Sequence, residues 1–313
     1  MIVGIDIGGT KCATVIAQET NDNIVFLSRL ELKTKGTAFE IIHRLKEQVK
    51  EQMAGLNLKK SDIERIGISC GGPLDNQKGI ILSPPNLKGW DDIHICDMMV
   101  NEFGAPCKLQ NDADASAIAE WRYGAAKGYK NAIFMTFGTG LGAGLILNNQ
   151  LYSGSNGMAG EVGHVRLSST GPIGYGKKGS FEGFCSGGGI AQQIQSFIKK
   201  KKLKGITWPW FDNDNMSAKE LSELAKDGDS LALELFSTIG RYLGLGLSTI
   251  IDILNPEIIV IGGIYMRSHQ FMDSSMYKVL KKETLPHSMI NFQIKPSGLG
   301  EKIGDYACIC ASL

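Results

Sequence analysis

Asp6-x-Gly8-Gly9-Thr10 ends the first apolar run of the chain, and its residue types suit an anion together with a hard cation. Glycines let the backbone approach a phosphate, successive N–H groups line a concavity, and the threonine adds a hydroxyl. Asp6 offers the kind of oxygen that Mg2+, or a water bound to it, takes. Thr136-x-Gly138-Thr139-Gly140-x-Gly142 repeats this equipment without the acid, so two such turns could grip a polyphosphate from opposite sides. Asn111-Asp112 lies between a short strand-like stretch and a helical one. One reading is a helix cap, where both residue types are favoured. The other is a carboxylate near a helix N-terminus that orients an alcohol and accepts its proton during phosphoryl transfer. Glu161-x-x-His164, with Glu182 beyond it, adds two carboxylates and an imidazole. These suit a polyhydroxylated ligand, whose hydroxyls each need a partner once buried. A metal site is the competing reading of Glu161 and His164.

Two rival phosphate motifs fail on context. Gly138-x-Gly140-x-x-Ala143 fits a loose dinucleotide fingerprint, but Gly144-Leu145-Ile146-Leu147 continues as a strand rather than a helix. Gly171-x-x-x-x-Gly176-Lys177-Lys178 ends in Lys where a P-loop needs Ser or Thr, and no strong strand precedes it.

Apolar periodicity supplies the elements that must position these groups. Residues 2–7, 12–17 and 24–32 read as strands joined by the Gly8-Gly9 turn and by Asn21-Asp22-Asn23. Phe39, Ile42, Leu45, Val49 and Met53 recur at helical spacing. Residues 66–69 and 108–110 read as strands, 113–123 as a helix, and 133–137 and 143–147 as strands around the second glycine turn. Laid over residues 3–17, Gly138 falls on Gly8 and Gly140 on Thr10, a repeat about 130 residues apart that points to two lobes of similar topology. Beyond residue 190 the chain reads as mainly helical. Ser217-x-x-Glu220 matches a capping box, and a long apolar helix over 230–254 stops at Asn255-Pro256. A strand over 258–261 delivers Gly262-Gly263, residues 299–313 are amphipathic and helical, and Lys199–Lys202 reads as a solvated helix end.

Composition bounds the function. A chain of 313 residues suits two lobes, and 43% apolar with 21% charged residues is ordinary globular material. Lys and Arg number 33 against 32 Asp and Glu, so no global basic field is available to a nucleic acid or a membrane surface. No apolar run approaches the ~20 residues of a bilayer span. The N-terminus shows no secretion signal, and a cytoplasmic protein is expected. The seven cysteines form an odd, scattered set suited to a reducing compartment, and Cys308-x-Cys310 reads as structural filler.

In this order the motifs resemble the ROK group (repressors, open reading frames and sugar kinases) of the actin-like, ribonuclease-H-like ATPase fold. The markers are Asp6-x-Gly8-Gly9-Thr10-Lys11, Gly72-Pro73-x-Asp75, Asn86-Leu87, Asn111-Asp112, Thr136-x-Gly138-Thr139-Gly140-x-Gly142, Gly160-Glu161-x-Gly163-His164, Asn255-Pro256 and Gly262-Gly263. The resemblance implies a two-lobed α/β fold, a duplicated domain with a cleft between the lobes. A small N-terminal lobe over 1–115 would be rejoined by the C-terminal helix 299–313, with a large lobe over 116–298. It implies ATP-dependent phosphorylation of a hexose at the 6-hydroxyl, most simply glucose. N-acetylmannosamine, fructose, allose or a β-glucoside are alternative sugars, and a non-catalytic sugar-sensing regulator is the alternative of another class. By the same resemblance Asp112 is the general base. Gly72, Asn86, Asn111, Asp112, Glu161, His164 and Glu182 surround the sugar. Asp6, Gly8, Gly9, Thr10 and Lys11 form the first phosphate loop, and Thr139 and Gly140 the second. Gly187, Gly188, Gly262 and Gly263 line the adenosine pocket. Mg2+ would accompany ATP, held at Asp6 through water, and a homodimer is implied. Repressors of the group carry an N-terminal winged helix-turn-helix; here the phosphate loop begins at Gly4, so no nucleic-acid partner is expected. Many members also carry a structural zinc on the His and three thiolates. The thiolate positions here read Ile173, Tyr175 and Ser180, so no zinc is expected, and His164 should be held by packing and hydrogen bonds alone.

Overall fold

β1 (Ile2–Ile7) is buried along nearly its whole length, as an apolar run broken only by Gly4 and Asp6 requires. It pairs antiparallel with β2 (Lys11–Glu19), and β2 pairs antiparallel with β3 (Ile24–Lys33). The computed structural model describes residues 1–20, 23–213 and 215–313, so Asn21 and Asp22 of the turn expected at 21–23 lie outside the described residues. Next come α1 (Ala38–Gly55), β4 (Arg65–Cys70), the short hairpin of β5 (Leu74–Asp75) and β6 (Ile80–Ile81), α2 (Ile95–Phe103), β7 (Cys107–Asn111) and α3 (Asp112–Tyr123). β4 runs parallel to β1 and β7 parallel to β4, giving a five-stranded sheet of order β3-β2-β1-β4-β7. α1 begins with a reciprocal capping box between Thr37 and Glu40 and buries Ile41, Ile42, Leu45, Val49 and Met53. Phe39, expected on that apolar face, is instead 65% exposed. The buried stripe passes through Ala38 and Ile41, and Phe39 falls beside it.

β8 (Ala132–Phe137), β9 (Leu141–Leu147) and β10 (Gln150–Leu151) open the second sheet. Then follow β11 (Ile173–Gly174), β12 (Lys177–Lys178), α4 (Phe181–Phe184), α5 (Gly187–Lys202), α6 (Ala218–Lys226), α7 (Ser230–Leu254), β13 (Ile258–Ile261), α8 (Ile264–Glu283) and β14 (Gln293–Pro296). The sheet order is β10-β9-β8-β13-β14, with β13 parallel to both β8 and β14 and β10 antiparallel to β9. Both sheets thus extend a first strand to one side by the chain that immediately follows it and to the other by later parallel strands, the repeat that the glycine turns announce. Ser217 and Glu220 form the expected capping box of α6, and α7 stops at Asn255, whose φ of +43° is left-handed. Lys199–Lys202 form the last turn of α5, where cations suit the helix dipole. Two of them are not simply solvated: Lys201 pairs with Glu234 and Lys202 with Asp212. Residues 171–178 contain the β11–β12 hairpin rather than a phosphate loop.

Residues 1–128, 144–159 and 298–313 form one compact unit, and residues 129–143 and 160–297 another. The C-terminal segment enters the first unit as α9 (Ile303–Cys310), preceded by a single 3-10 turn over Gly300–Lys302. α9 lies so close to β1 and β4 that a Cβ on Gly4 would fall 2.6 Å from Cys308 Sγ, and one on Gly67 2.1 Å from the Cys308 carbonyl oxygen. Cys308 and Cys310 are buried free thiols in this contact, which accounts for their small size. Among the described residues no helix is long and apolar enough to cross a membrane.

Glu120 on α3, which sequence periodicity does not single out, is fully buried. Its Oε2 accepts from the N–H groups of Ala125 (2.7 Å) and Gly298 (3.2 Å), and its Oε1 from that of Leu299 (3.0 Å). The carboxylate therefore ties the returning segment to α3. Replacing it with alanine leaves three partly buried donors without this carboxylate, so Glu120→Ala is expected to cost about 2 kcal/mol in urea denaturation, with Glu120→Gln intermediate.

Candidate functional site

In the first unit the carboxyl ends of three parallel strands carry the predicted groups. Asp6 is the penultimate residue of β1, and its register partner on β4 is Ser69. The turn after it is pinned by Gly8 N–H donating to the Lys11 carbonyl (3.1 Å) and by the Thr34 hydroxyl donating to the Gly8 carbonyl (2.7 Å). Gly9, Thr10 and Lys11 are exposed. A Cβ on Gly9 would fall 2.7 Å from the Asn86 carbonyl oxygen, so Asn86 abuts the first phosphate loop. β4 ends before Gly71-Gly72. A Cβ on Gly72 would lie 3.3 Å from Asn111 Nδ2, and one on Gly71 3.8 Å from Asp112 Oδ2. The capping reading of Asn111-Asp112 is met at Asn111. Asn111 caps α3, its Oδ1 accepting from the N–H groups of Ala113 (2.9 Å) and Asp114 (3.4 Å). Asp112 is left as the first residue of the helix, solvent-accessible, with Oδ1 accepting from Ala113 N–H (2.8 Å).

In the second unit the second glycine turn collects its own partners. The Thr136 hydroxyl accepts from Gly142 N–H (2.9 Å), and Gly138 N–H donates to the Gly140 carbonyl (3.1 Å). The Gly138 carbonyl accepts from Gly187 N–H at the start of α5 (2.8 Å). Gly263, at φ +65°, lies against the same turn: a Cβ there would fall 2.2 Å from the Phe137 carbonyl oxygen. Gly262 precedes it, its N–H bonded to the Met135 carbonyl, and Gly188 follows Gly187 with open space around its Cα. The structure therefore gathers the loop residues Thr139 and Gly140 and the four glycines expected around adenosine. The α5 N-terminus adds the partial positive charge that favours phosphate. Glu182 joins this group too, by a link that sequence reading missed: its Oε2 accepts from Leu141 N–H (3.0 Å). Gly163 packs on Leu141 and Glu182, so the 160–164 segment rests on β9. Glu161 and His164 are both exposed there.

The segment that carries zinc-binding thiolates in many ROK members does not fit that metal here. Ile173 and Tyr175 belong to the β11–β12 hairpin. Ser180 is buried, with its hydroxyl donating to the Gly174 carbonyl (3.3 Å) and accepting from Gly183 N–H (3.1 Å) as the cap of α4. Cys185 is fully buried, and burial pushes its thiol up, opposite to what a thiolate ligand needs.

Asp6 does fit a hydrated divalent cation. Its carboxylate is only partly buried, and the cations nearest to it are committed elsewhere, Lys11 to Glu31 (2.9 Å) and Arg29 to Asp305 and Glu31 (2.9 Å each). Burial, then the charge of Asp112, then that of Asp305 raise the Asp6 carboxyl from 3.8 to about 7. Desolvation by the protein atoms crowded around it raises the Asp112 carboxyl as well, although solvent still reaches the residue, and does so against the pull of Ala113 N–H. For an acid whose folded-state pKa is raised, the folded chain binds more protons than the unfolded one between the two values. That contribution to stability is present near pH 4 and lost as pH rises to about 7. The Tm of the ligand-free chain is therefore expected to fall between pH 5 and pH 8, and Asp6→Asn to flatten that slope. Elemental analysis of the purified protein is expected to find zinc far below one per chain.

The ROK family profile matches residues 2–305. A glucokinase of Halalkalibacterium halodurans is 29% identical over 304 residues, spanning 96% of this chain and 92% of that protein. A xylose repressor of Bacillus spizizenii is 27% identical over 306 residues, spanning 96% of this chain and 73% of that protein. Among solved structures, a ROK family glucokinase from Streptomyces griseus, in complex with glucose and AMPPNP, superposes with a TM-score of 0.77 at 27% identity, covering 99% of this chain and 97% of that one. The chain belongs to the ROK family and has the actin-like ATPase fold of its sugar kinases.

Proposed function

We propose that this protein is an ATP-dependent hexose kinase that phosphorylates the 6-hydroxyl of glucose or a closely related sugar. The observation that carries this reading is the placement of Asp112: an accessible carboxylate at the first helical position of α3, one oxygen held by Ala113 N–H and the other over Gly71. Oδ2 is then the atom that accepts the proton as the alcohol oxygen attacks the γ-phosphorus and the bond to the β–γ bridging oxygen breaks, ADP leaving, while the Ala113 bond fixes the carboxylate plane. A base of raised pKa transfers the proton with a smaller mismatch than an ordinary aspartate. Asn111, Gly72 and Asn86, with Glu161, His164 and Glu182, serve the sugar. Gly8, Gly9, Thr10 and Lys11, with Thr139 and Gly140, serve the phosphates, and Gly187, Gly188, Gly262 and Gly263 the adenosine. Asp6 would hold Mg2+ through water, and that ion would offset the charge of the phosphates. The reading extends to a cytoplasmic homodimer.

The similarity to xylose repressors favours a second reading, a sugar-responsive regulator without turnover. ADP release measured against a panel of glucose, N-acetylmannosamine, fructose, allose and a β-glucoside separates the two and identifies the sugar. Asp112→Ala is expected to lower kcat by about 10²-fold or more while calorimetry shows sugar binding within a few-fold of the parent. In the parent, kcat/KM should fall as pH drops through a carboxyl pKa above the ordinary 3.8. Full turnover by Asp112→Ala would end the assignment.

A further inference from the structure

The β11–β12 hairpin turns through Tyr175 and Gly176, at φ +43° and +73°. Two successive left-handed residues make the tight two-residue hairpin turn that favours Asn-Gly or Gly-Gly. A tyrosine in the first of these positions pays the steric penalty of its Cβ in the left-handed region. Burial gives little in return, since Tyr175 is 67% exposed. What the side chain does reach is His164: the two rings lie edge to face, centroids 6.3 Å apart and planes at 76°. Lys177, the first residue of β12, reaches the same residue from the other side of the turn, its Nζ donating to the His164 carbonyl (2.6 Å).

The base of the hairpin is fixed independently. Gln192 on α5 donates to the Ile173 carbonyl (2.8 Å) and accepts from Ile173 N–H (2.9 Å). A Cβ on Gly174 would fall 2.4 Å from the Gly183 nitrogen, so the strand is pressed onto α4. A hairpin anchored at its base and strained at its tip, with two tip residues on one histidine, is built to hold that histidine.

We propose that Tyr175 and Lys177 are positioning residues that fix the His164 imidazole and backbone for the sugar hydroxyls, doing by ring contact and hydrogen bond what a metal does where thiolates occupy positions 173, 175 and 180. The inference rests on the sugar-kinase reading, and it assigns a specific task to side chains that the zinc-binding pattern cannot use. Tyr175→Asn separates the task from folding, because asparagine suits the left-handed turn better than tyrosine. That variant should keep or raise Tm, raise the sugar KM about 3- to 10-fold, and leave kcat at saturation and the ATP KM little changed. Lys177→Met should raise the sugar KM in the same selective way and Lys177→Arg should restore most of it. Independently of any sugar, the His164 imidazole proton signals should carry a ring-current shift in the parent chain that Tyr175→Asn removes. An unmoved His164 signal, an unchanged sugar KM, or an equal rise in the KM for ATP would overturn the inference. If the parent chain takes no hexose, the kinase reading falls and the sugar role with it, while the His164 signal still decides whether the ring contact exists.

Discussion

The parallel register of β1, β4 and β7 is the constraint on which the first unit's chemistry depends. Ile7 lies opposite Cys70, and Cys70 opposite Asn111, so Gly8, Gly71 and Asp112 leave the sheet at one edge. Ligand sites of open parallel sheets form at the carboxyl ends of their strands, because the chain must leave the sheet there and is free to shape a loop. A slip of one residue along β4 would set Ile66 or Ile68 where Gly67 meets α9, so the packing that stabilises the sheet also fixes where the loops after it begin. α9 adds to this. Its approach needs Gly4 and Gly67, and it brings Gly304 to the Asp6 carboxylate, where a Cβ would fall 2.9 Å from Oδ2.

The second unit solves the same problem with a different balance of groups. Ile261 is in register with Met135, so Gly262-Gly263 leaves β13 beside the end of β8. No acid corresponding to Asp6 follows β8. Instead the turn receives the N-terminal end of α5 at Gly187 and is steadied by Glu182 through Leu141 N–H. Amides and a helix dipole suit the anionic part of a nucleotide, whereas the first unit's carboxylates suit a proton and a cation. The duplication is therefore one of architecture, and the groups that each copy carries differ.

How far this was legible in the sequence follows from where each signal lies. The strands β1, β4, β8 and β13 are short, mainly apolar runs, and the glycine turns after them are local, so both could be read directly. α2 escaped although Ile95, Met99 and Phe103 recur at helical spacing, α8 is covered only by the general helical reading beyond residue 190, and β14 escaped because Gln-Ile-Lys-Pro is short, mixed and largely half-buried. Contacts across long sequence separations escaped altogether. Glu120 meets Gly298 and Leu299 nearly 180 residues away, and Glu182 meets Leu141 about 40 away, with no local pattern to announce either. The hairpin of β11 and β12 left one trace, an aromatic residue before glycine between short polar stretches. Its meaning depends on the backbone angle of Tyr175, which sequence does not carry.

The electrostatics of the first unit bear on what kind of ligand it serves. Asp6 is expensive where it stands: burial and the charges of Asp112 and Asp305 all oppose its ionised form. Asparagine has nearly the same volume and would escape that repulsion. Packing does not call for the negative charge either, since Lys11 and Arg29 find their partners in Glu31 and Asp305. A carboxylate that is costly in the ligand-free chain, with only the charges of Lys11 and Arg29, both already paired, in its favour, is suited to a positively charged ligand. A neutral sugar brings no such charge, and a metal-bound nucleotide does. Asp6 in this setting supports the proposed use of a metal-bound nucleotide.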